Sequence, residues 1–347
     1  MGGMKVLTSR EKKDLTIFIS VTLGLTIIMS LFIPKCYEIN GDAVLFTNIQ
    51  AYFPMTGVII VLLYNMRKKA FRLKSFFILF LSISGIAMCS GVATLFLDYN
   101  ICMAIENMAC RIGSLLSLLL IFYLSDPGDK IRINIKKSTV KEWITYTFLF
   151  LILLLASIFL ESILRIMLGI DKENYLAPIF TSSENIVEII LVLLISPINY
   201  VTCFITFLGE EFGWRRFLQP LLEKRYGMRL GVLILGTVWG IWHLPLSIYV
   251  YSEKNWSISF LSQIVLGISI ATFLAYVYLK TKNIWIVTWL HYFYNLFSLT
   301  LSDYLAKDVE SVEKFVVSSI ACLVCFLPLL KSKIFRDSAI LEDMFIS

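Results

Sequence analysis

The residues of this chain that could carry out chemistry fall in three short segments. Residues 209–215 read GEEFGWR, residues 239–243 read WGIWH and residues 291–295 read HYFYN, and the last two segments hold the chain's only two histidines. All three segments lie inside or beside strongly apolar runs, where ionisable side chains are costly and usually serve a function. We therefore predict that they form parts of one site within a membrane.

The residue types in these segments suit the hydrolysis of an amide bond. A carboxylate near a histidine can take a proton from water, and a second histidine with an asparagine amide can donate hydrogen bonds to an oxyanion. Glu210 and Glu211 are consecutive, so their side chains point about 100° apart on a helix and are expected to have different roles. The i, i+4 spacing pairs Arg215 with Glu211, and Asn295 with His291, on one helical face each.

The composition defines the environment of this chemistry. Of the 347 residues, 58% are hydrophobic and 16% are charged, and the mean hydropathy is +0.79. Soluble domains have roughly 45–50% apolar and about 25% charged residues. We predict an all-α, polytopic transmembrane helix bundle with about ten spans, which leaves little length for a separate soluble domain. The predicted spans are 16–34, 51–66, 75–97, 105–124, 143–160, 186–208, 230–250, 257–279, 283–301 and 315–330.

The distribution of positive charge predicts the orientation of the bundle. Most of the 31 lysines and arginines fall in every second segment between predicted spans, beginning with the segment at the N-terminus. Because cytoplasmic loops collect lysine and arginine, both termini are predicted to be cytoplasmic. The net charge of +6 is explained by loops that face anionic lipid, so no nucleic-acid partner is expected.

One predicted span raises a problem of length. An unbroken helix from 186 to 222 would be longer than the hydrocarbon core of a bilayer, which is about 30 Å thick. Pro197, with the polar residues Asn199 and Thr202 after it, predicts a break where a new helical segment begins.

The three segments together resemble a known family. Residues 209–246, GEEFGWRRFLQPLLEKRYGMRLGVLILGTVWGIWHLPL, followed by HYFYN, are similar to the CAAX protease and bacteriocin-processing (CPBP) family, also called Abi, of intramembrane glutamate-dependent endopeptidases. The family pattern of EExxxR, then F/WxxxH, then HxxxN occurs here in order. Trp239 stands where the family more often has phenylalanine, and both residues fill an aromatic position. The resemblance covers roughly residues 185–300.

The resemblance implies the roles of four catalytic residues. Glu210 would be the general base that activates a water molecule together with His243. His291 and Asn295 would form the oxyanion site. No cofactor is implied.

Three further residues would support this catalytic set. Glu211, Arg215 and Trp239 are the supporting residues that the resemblance implies. Arg215 would either be held as the i, i+4 partner of Glu211 or point toward the carboxyl end of the substrate.

The predicted spans and the resemblance together divide the chain and indicate its setting. Residues 1–124 would form an N-terminal four-span region, 125–142 a cytoplasmic linker, 143–301 the protease core, and 302–347 the last span and a cytoplasmic tail. The partners would be membrane lipid and a membrane-associated peptide, either a CAAX-type tail or a bacteriocin or leader peptide. The expected location is a bacterial plasma membrane, in which the protein is an integral multi-pass protein.

Two other functions remain open from the sequence. In a zinc-dependent endopeptidase, Glu210, His243 and His291 would bind the metal with water in the fourth position, although the HExxH helix signature is absent. In a non-enzymatic transporter or bacteriocin-immunity protein, the same groups would relay protons or bind a cationic ligand. The chain shows no inverted repeat, which a transporter would usually have.

Overall fold

The computed structural model describes residues 6–65, 74–123, 139–171, 183–252, 255–302 and 311–336. Within these ranges the regular structure is helical and no β-strand is present. An apolar run in lipid must satisfy its backbone hydrogen bonds internally, and a helix does so. The prediction of an all-α bundle of membrane-spanning helices is confirmed.

Fourteen α-helices account for most of the described chain. In order they are α1 (Ser9–Ser30), α2 (Ile33–Asn40), α3 (Leu45–Ala51), α4 (Phe53–Asn65), α5 (Lys74–Ala93), α6 (Tyr99–Tyr123), α7 (Val140–Met167), α8 (Ser183–Glu211), α9 (Gln219–Tyr226), α10 (Met228–Trp242), α11 (Leu244–Tyr249), α12 (Trp256–Thr281), α13 (Ile284–Ser302) and α14 (Val312–Phe326). A π-helical segment, Phe212–Leu218, joins α8 to α9.

The described residues contain eight helical stretches that are long and apolar enough to cross a membrane. They correspond to eight of the ten predicted spans. The other two predicted spans, 230–250 and 283–301, coincide with the pair α10 and α11 and with α13. Most of the predicted linker and the end of the predicted tail lie outside the described residues, and the orientation of the termini stays a prediction.

The predicted break at Pro197 is wrong. Pro197 lies inside α8, and the helical path continues from Ser183 through the π-helical segment to Tyr226. The excess length does not have to match the bilayer, because residues 212–223 are all buried within the protein. Neighbouring groups can compensate for the backbone bond that a proline removes, and the irregularity falls at the π-helical segment instead.

Two glycines let α10 and α12 pack at very short range. A Cβ atom added to Gly236 would lie 2.5 Å from the Cα of Ile268, and one added to Gly240 would lie 2.4 Å from the Cα of Ile264. Small residues four positions apart allow helix backbones to approach in this way. The contact fixes α10, which carries segment 239–243, against its neighbour.

Gly240→Ala is expected to destabilise the folded protein by about 1–3 kcal/mol, because the added methyl group forces two backbones apart. Thermal unfolding in detergent measures the effect. Gly24→Ala is the matched control, since its added Cβ atom would meet no atom within 4 Å. An equal melting temperature for the two variants would contradict the close contact.

Candidate active site

Trp239 is the residue through which the three segments meet. Its indole Nε1 donates a hydrogen bond to Glu210 Oε2, at 2.8 Å. Its carbonyl oxygen accepts a hydrogen bond from His243 Nδ1, also at 2.8 Å. Its ring centroid lies 5.1 Å from that of His291, in an edge-to-face arrangement. The three segments therefore converge on one place in the bundle.

His243 lies at the break between two helices. It follows Trp242, the last residue of α10, and precedes Leu244, the first residue of α11. Because a carbonyl oxygen can only accept, the bond to Trp239 assigns the proton of the neutral ring to Nδ1. Nε2 then keeps its lone pair on a side chain that is only half-buried. This nitrogen is able to accept a proton from a water molecule.

The two consecutive glutamates have different partners, as their separation around the helix predicts. Glu210 is bonded to Trp239, whereas Glu211 Oε2 accepts a hydrogen bond from Arg215 Nε at 2.8 Å. The other oxygen of Glu211 lies 2.9 Å from His291 Nδ1. The side chains of Glu211 and Arg215 are both fully buried. Glu211 thus links a fixed cation to the ring of His291.

Arg215 takes the first of the two arrangements that the sequence leaves open. It is the i, i+4 partner of Glu211, and its guanidinium carbon lies 5.3 Å from the centre of the Trp239 ring. A guanidinium over an indole face gains cation–π attraction. Arg215 therefore contacts both the Glu211 carboxylate and the tryptophan that binds Glu210.

The π-helical segment begins directly after the two glutamates. The amide of Gln219 bonds to the carbonyl of Trp214, five residues earlier, which is the spacing of a π-helix. Such wide turns are rare and are frequently found at functional sites. The sequence predicts an ordinary helix here, because the pattern of apolar residues does not distinguish one wide turn from regular helix.

Comparison with known proteins supports the resemblance. Residues 182–297, which contain all three segments, match the family model described as "Type II CAAX prenyl endopeptidase Rce1-like". This part of the chain is thus similar to the CAAX protease family. Over 155 residues the chain is also 28% identical to "CAAX prenyl protease 2" of Methanococcus maripaludis.

The similarity to the archaeal CAAX protease is partial. The alignment covers 42% of this chain and 51% of that relative, so it spans about half the length of the curated relative. No solved structure matches the chain. The similarity therefore supports a CAAX protease core within this part of the chain.

Two residues near this site were not equally predictable from the sequence. Asn295 lies one helical turn beyond His291 on α13 and is exposed, and its role as an oxyanion donor stays a prediction. Tyr251 was not predicted as a site residue. Tyr251 lies in the connection between α11 and α12 and is 40% exposed, and its ring centroid lies 6.2 Å from that of His243. One tyrosine among 16 gives no signal in the sequence.

The geometry gives the zinc alternative no support. In the described part of the chain, no group of three or more His, Cys, Asp or Glu side chains is arranged to hold a metal ion. Glu210 Oε2 and His243 Nδ1 are both bonded to Trp239, which leaves Nε2 as the ring nitrogen of His243 that a metal would use. The zinc-dependent endopeptidase therefore stays an alternative prediction.

Proposed function

We propose that the protein is an intramembrane endopeptidase that hydrolyses membrane-associated peptides with a water molecule activated by Glu210 and His243. The supporting observation is that both residues bind the same tryptophan, Glu210 through the indole nitrogen and His243 through the backbone carbonyl. This shared partner holds an acid and a base from separate helices in one place. Such a pair can supply general base catalysis without a covalent intermediate.

In the proposed reaction, Glu210, acting together with His243, takes one proton from a water molecule. The water oxygen attacks the peptide carbonyl carbon at the same time. The carbonyl oxygen becomes an oxyanion, which accepts hydrogen bonds from His291 Nε2 and the Asn295 amide. Collapse of the tetrahedral intermediate breaks the carbon–nitrogen bond. The proton held by Glu210 passes to the leaving amine, and the second proton of the water stays on the new carboxyl group until that group ionises. The amine binds the released proton, so the products are a carboxylate and an ammonium group.

In this mechanism, Arg215 and Glu211 hold the ring of His291, one of the two oxyanion donors. Arg215 holds Glu211, and Glu211 lies against His291 Nδ1. A ring held at Nδ1 directs Nε2 away from the carboxylate, toward the space where a substrate oxygen would lie. A second proton on the ring, at Nε2, is stabilised by the neighbouring carboxylate and completes the donor.

The proposed substrate is a peptide with a CAAX-type C-terminus that bears a prenyl group. The name of the archaeal relative, "CAAX prenyl protease 2", describes that class, and we extend it to this chain. A prenyl chain anchors a peptide at the membrane surface, where an intramembrane site can meet it. Bacteriocin or leader peptides are the other substrate class to compare, and the proposed location is a bacterial plasma membrane.

The direct test is a cleavage assay with the purified protein in detergent. Internally quenched peptides that end in Cys-aliphatic-aliphatic-Xaa, with and without a farnesyl group, are incubated with wild type and with Glu210→Ala. We expect cleavage by wild type only, and mass spectrometry of the products identifies the broken bond. A chelator should leave the rate unchanged, whereas a loss that added zinc restores would favour the metalloendopeptidase. If wild type cleaves neither the CAAX-type peptides nor bacteriocin or leader peptides, the proposal is contradicted.

Asn295→Ala is expected to lower kcat by about 10²–10³-fold, the usual cost of one oxyanion donor. The same assay measures it. Ser298→Ala, an exposed position on the same helix outside the three segments, is the control and should match wild type. A rate for Asn295→Ala within about threefold of wild type would remove it from the oxyanion site.

A further inference from the structure

We infer that Gln50, in the N-terminal part of the chain, is a positioning residue for His243. This inference rests on the proposed function. Gln50 lies near the end of α3 and is 4% exposed, and its Nε2 donates a hydrogen bond to the carbonyl oxygen of Trp242 at 2.9 Å. The two residues are 192 positions apart. The part of the chain that matches the CAAX protease family begins at residue 182, so Gln50 lies well outside it.

The carbonyl that Gln50 holds belongs to the peptide unit that leads into His243. His243 lies between the last residue of α10 and the first residue of α11, and its amide bonds to the carbonyl of Gly240, three residues earlier, so the regular α-helical pattern is interrupted here. The Trp242 side chain is held as well, because its Nε1 donates to Thr26 Oγ1 at 2.8 Å. Both the backbone and the indole of Trp242 are therefore fixed by residues of α1 and α3. The direction in which His243 leaves the backbone follows from that peptide plane.

The same short stretch also contacts the segment that carries the glutamates. We call residues 50–54, where α3 ends and α4 begins, the α3–α4 corner. A Cβ atom added to Gly209 would lie 2.6 Å from the carbonyl oxygen of Ala51, and one added to Gly213 would lie 2.3 Å from Pro54 Cβ. Only glycine permits this approach. The α3–α4 corner thus contacts the helix of Glu210 on one side and the peptide before His243 on the other.

This arrangement lets the α3–α4 corner fix the position of Glu210 relative to His243. Glu210 and His243 lie on different helices, and both must act on one water molecule in the proposed reaction. A rigid element that contacts both helices fixes their relative position. Since a misplacement of about 1 Å can cost roughly 10²-fold in rate, one hydrogen bond at this point can matter more for catalysis than for folding.

The test uses the full-length protein and a nearly isosteric change. Gln50→Met keeps the length of the side chain and removes the donor, and we expect kcat to fall by about 10–10²-fold with KM changed by less than about twofold. Thr47→Val is the control on the same helix, because the Thr47 hydroxyl bonds to the carbonyl of Val44 within its own turn. The control should match wild type in both constants.

A second variant separates positioning from a general loss of structure. Gln50→Glu retains the shape of the side chain and donates a hydrogen bond only when its carboxyl group is protonated. The rate of Gln50→Glu relative to wild type should therefore recover as the pH is lowered, whereas the deficit of Gln50→Met should remain. A purely structural defect would not produce this difference in pH profile. The pH profile of Gln50→Glu also tests the inference if Gln50→Met does not fold.

A spectroscopic measurement tests the inference without any enzymatic assay. The chain has only two histidines, so protein labelled with isotopes in histidine gives two sets of ring signals. Gln50→Met should shift the His243 set, assigned through His243→Ala, and leave the His291 set nearly in place. Unchanged spectra together with an unchanged kcat would overturn the inference. If wild type cleaves no peptide while the His243 signals move as expected, the proposed function fails and the positioning contact stands.

Discussion

Glu210→Ala is expected to remove nearly all peptide hydrolysis, with a fall in kcat of at least about 10³-fold, within the range known for the loss of a general base. In the proposed reaction the carboxylate holds the proton between water and the leaving amine, and alanine offers no substitute. Glu210 is 7% exposed and bonds to the indole nitrogen of Trp239.

The measurement for Glu210→Ala is kcat with the quenched peptide in purified, detergent-solubilised protein. The melting temperature of the variant shows whether it is folded. Glu188→Ala removes an exposed carboxylate from the same helix, α8, and should leave the rate unchanged. Normal turnover by Glu210→Ala would show that this residue is not the base, and the proposed mechanism would have to be abandoned.

His243→Ala is expected to lower kcat by about 10²–10⁴-fold. The half-buried ring lies between two helices with Nδ1 bonded to Trp239, so Nε2 is the nitrogen that can accept a proton. Removing it leaves Glu210 without its partner in proton transfer. Added imidazole should restore part of the rate, since the space left by the ring can admit a small base.

The readout for His243→Ala is kcat with and without imidazole, compared with Glu210→Ala under the same conditions. Because both residues act on one water molecule in the proposed reaction, the double variant should be no slower than the slower single variant. If the fall in kcat of the double variant equals the product of the falls in the two single variants, the two residues do not share one step. A rate for His243→Ala close to wild type would assign the histidine to structure.

Much of the bundle could be predicted because lipid imposes a simple rule on the sequence. Apolar runs must become helices, and the runs are visible as such. The pairing of Glu211 with Arg215 was also accessible, since partners four residues apart on a helix are neighbours. The meeting of the three segments followed from the cost of placing glutamate and histidine among apolar residues.

The details of the site depend on contacts that no local pattern encodes. The bond from Trp239 to Glu210 joins residues 29 positions apart, and that from Gln50 to Trp242 joins residues 192 apart. A tryptophan in an apolar helix and a glutamine near a span each have many possible partners. Pro197 misled the prediction because neighbouring helices can support a proline whose effect in an isolated helix would be disruptive.

The contacts of the α3–α4 corner have an evolutionary consequence. A side chain at Gly209 or Gly213 would clash with backbone atoms of Ala51 or Pro54, which a substitution at those partners does not remove. Relatives that share this packing are thus expected to have glycine at both positions. A hybrid that joins the N-terminal half of one relative to the motif-bearing half of another should keep this junction only if both glycines are present.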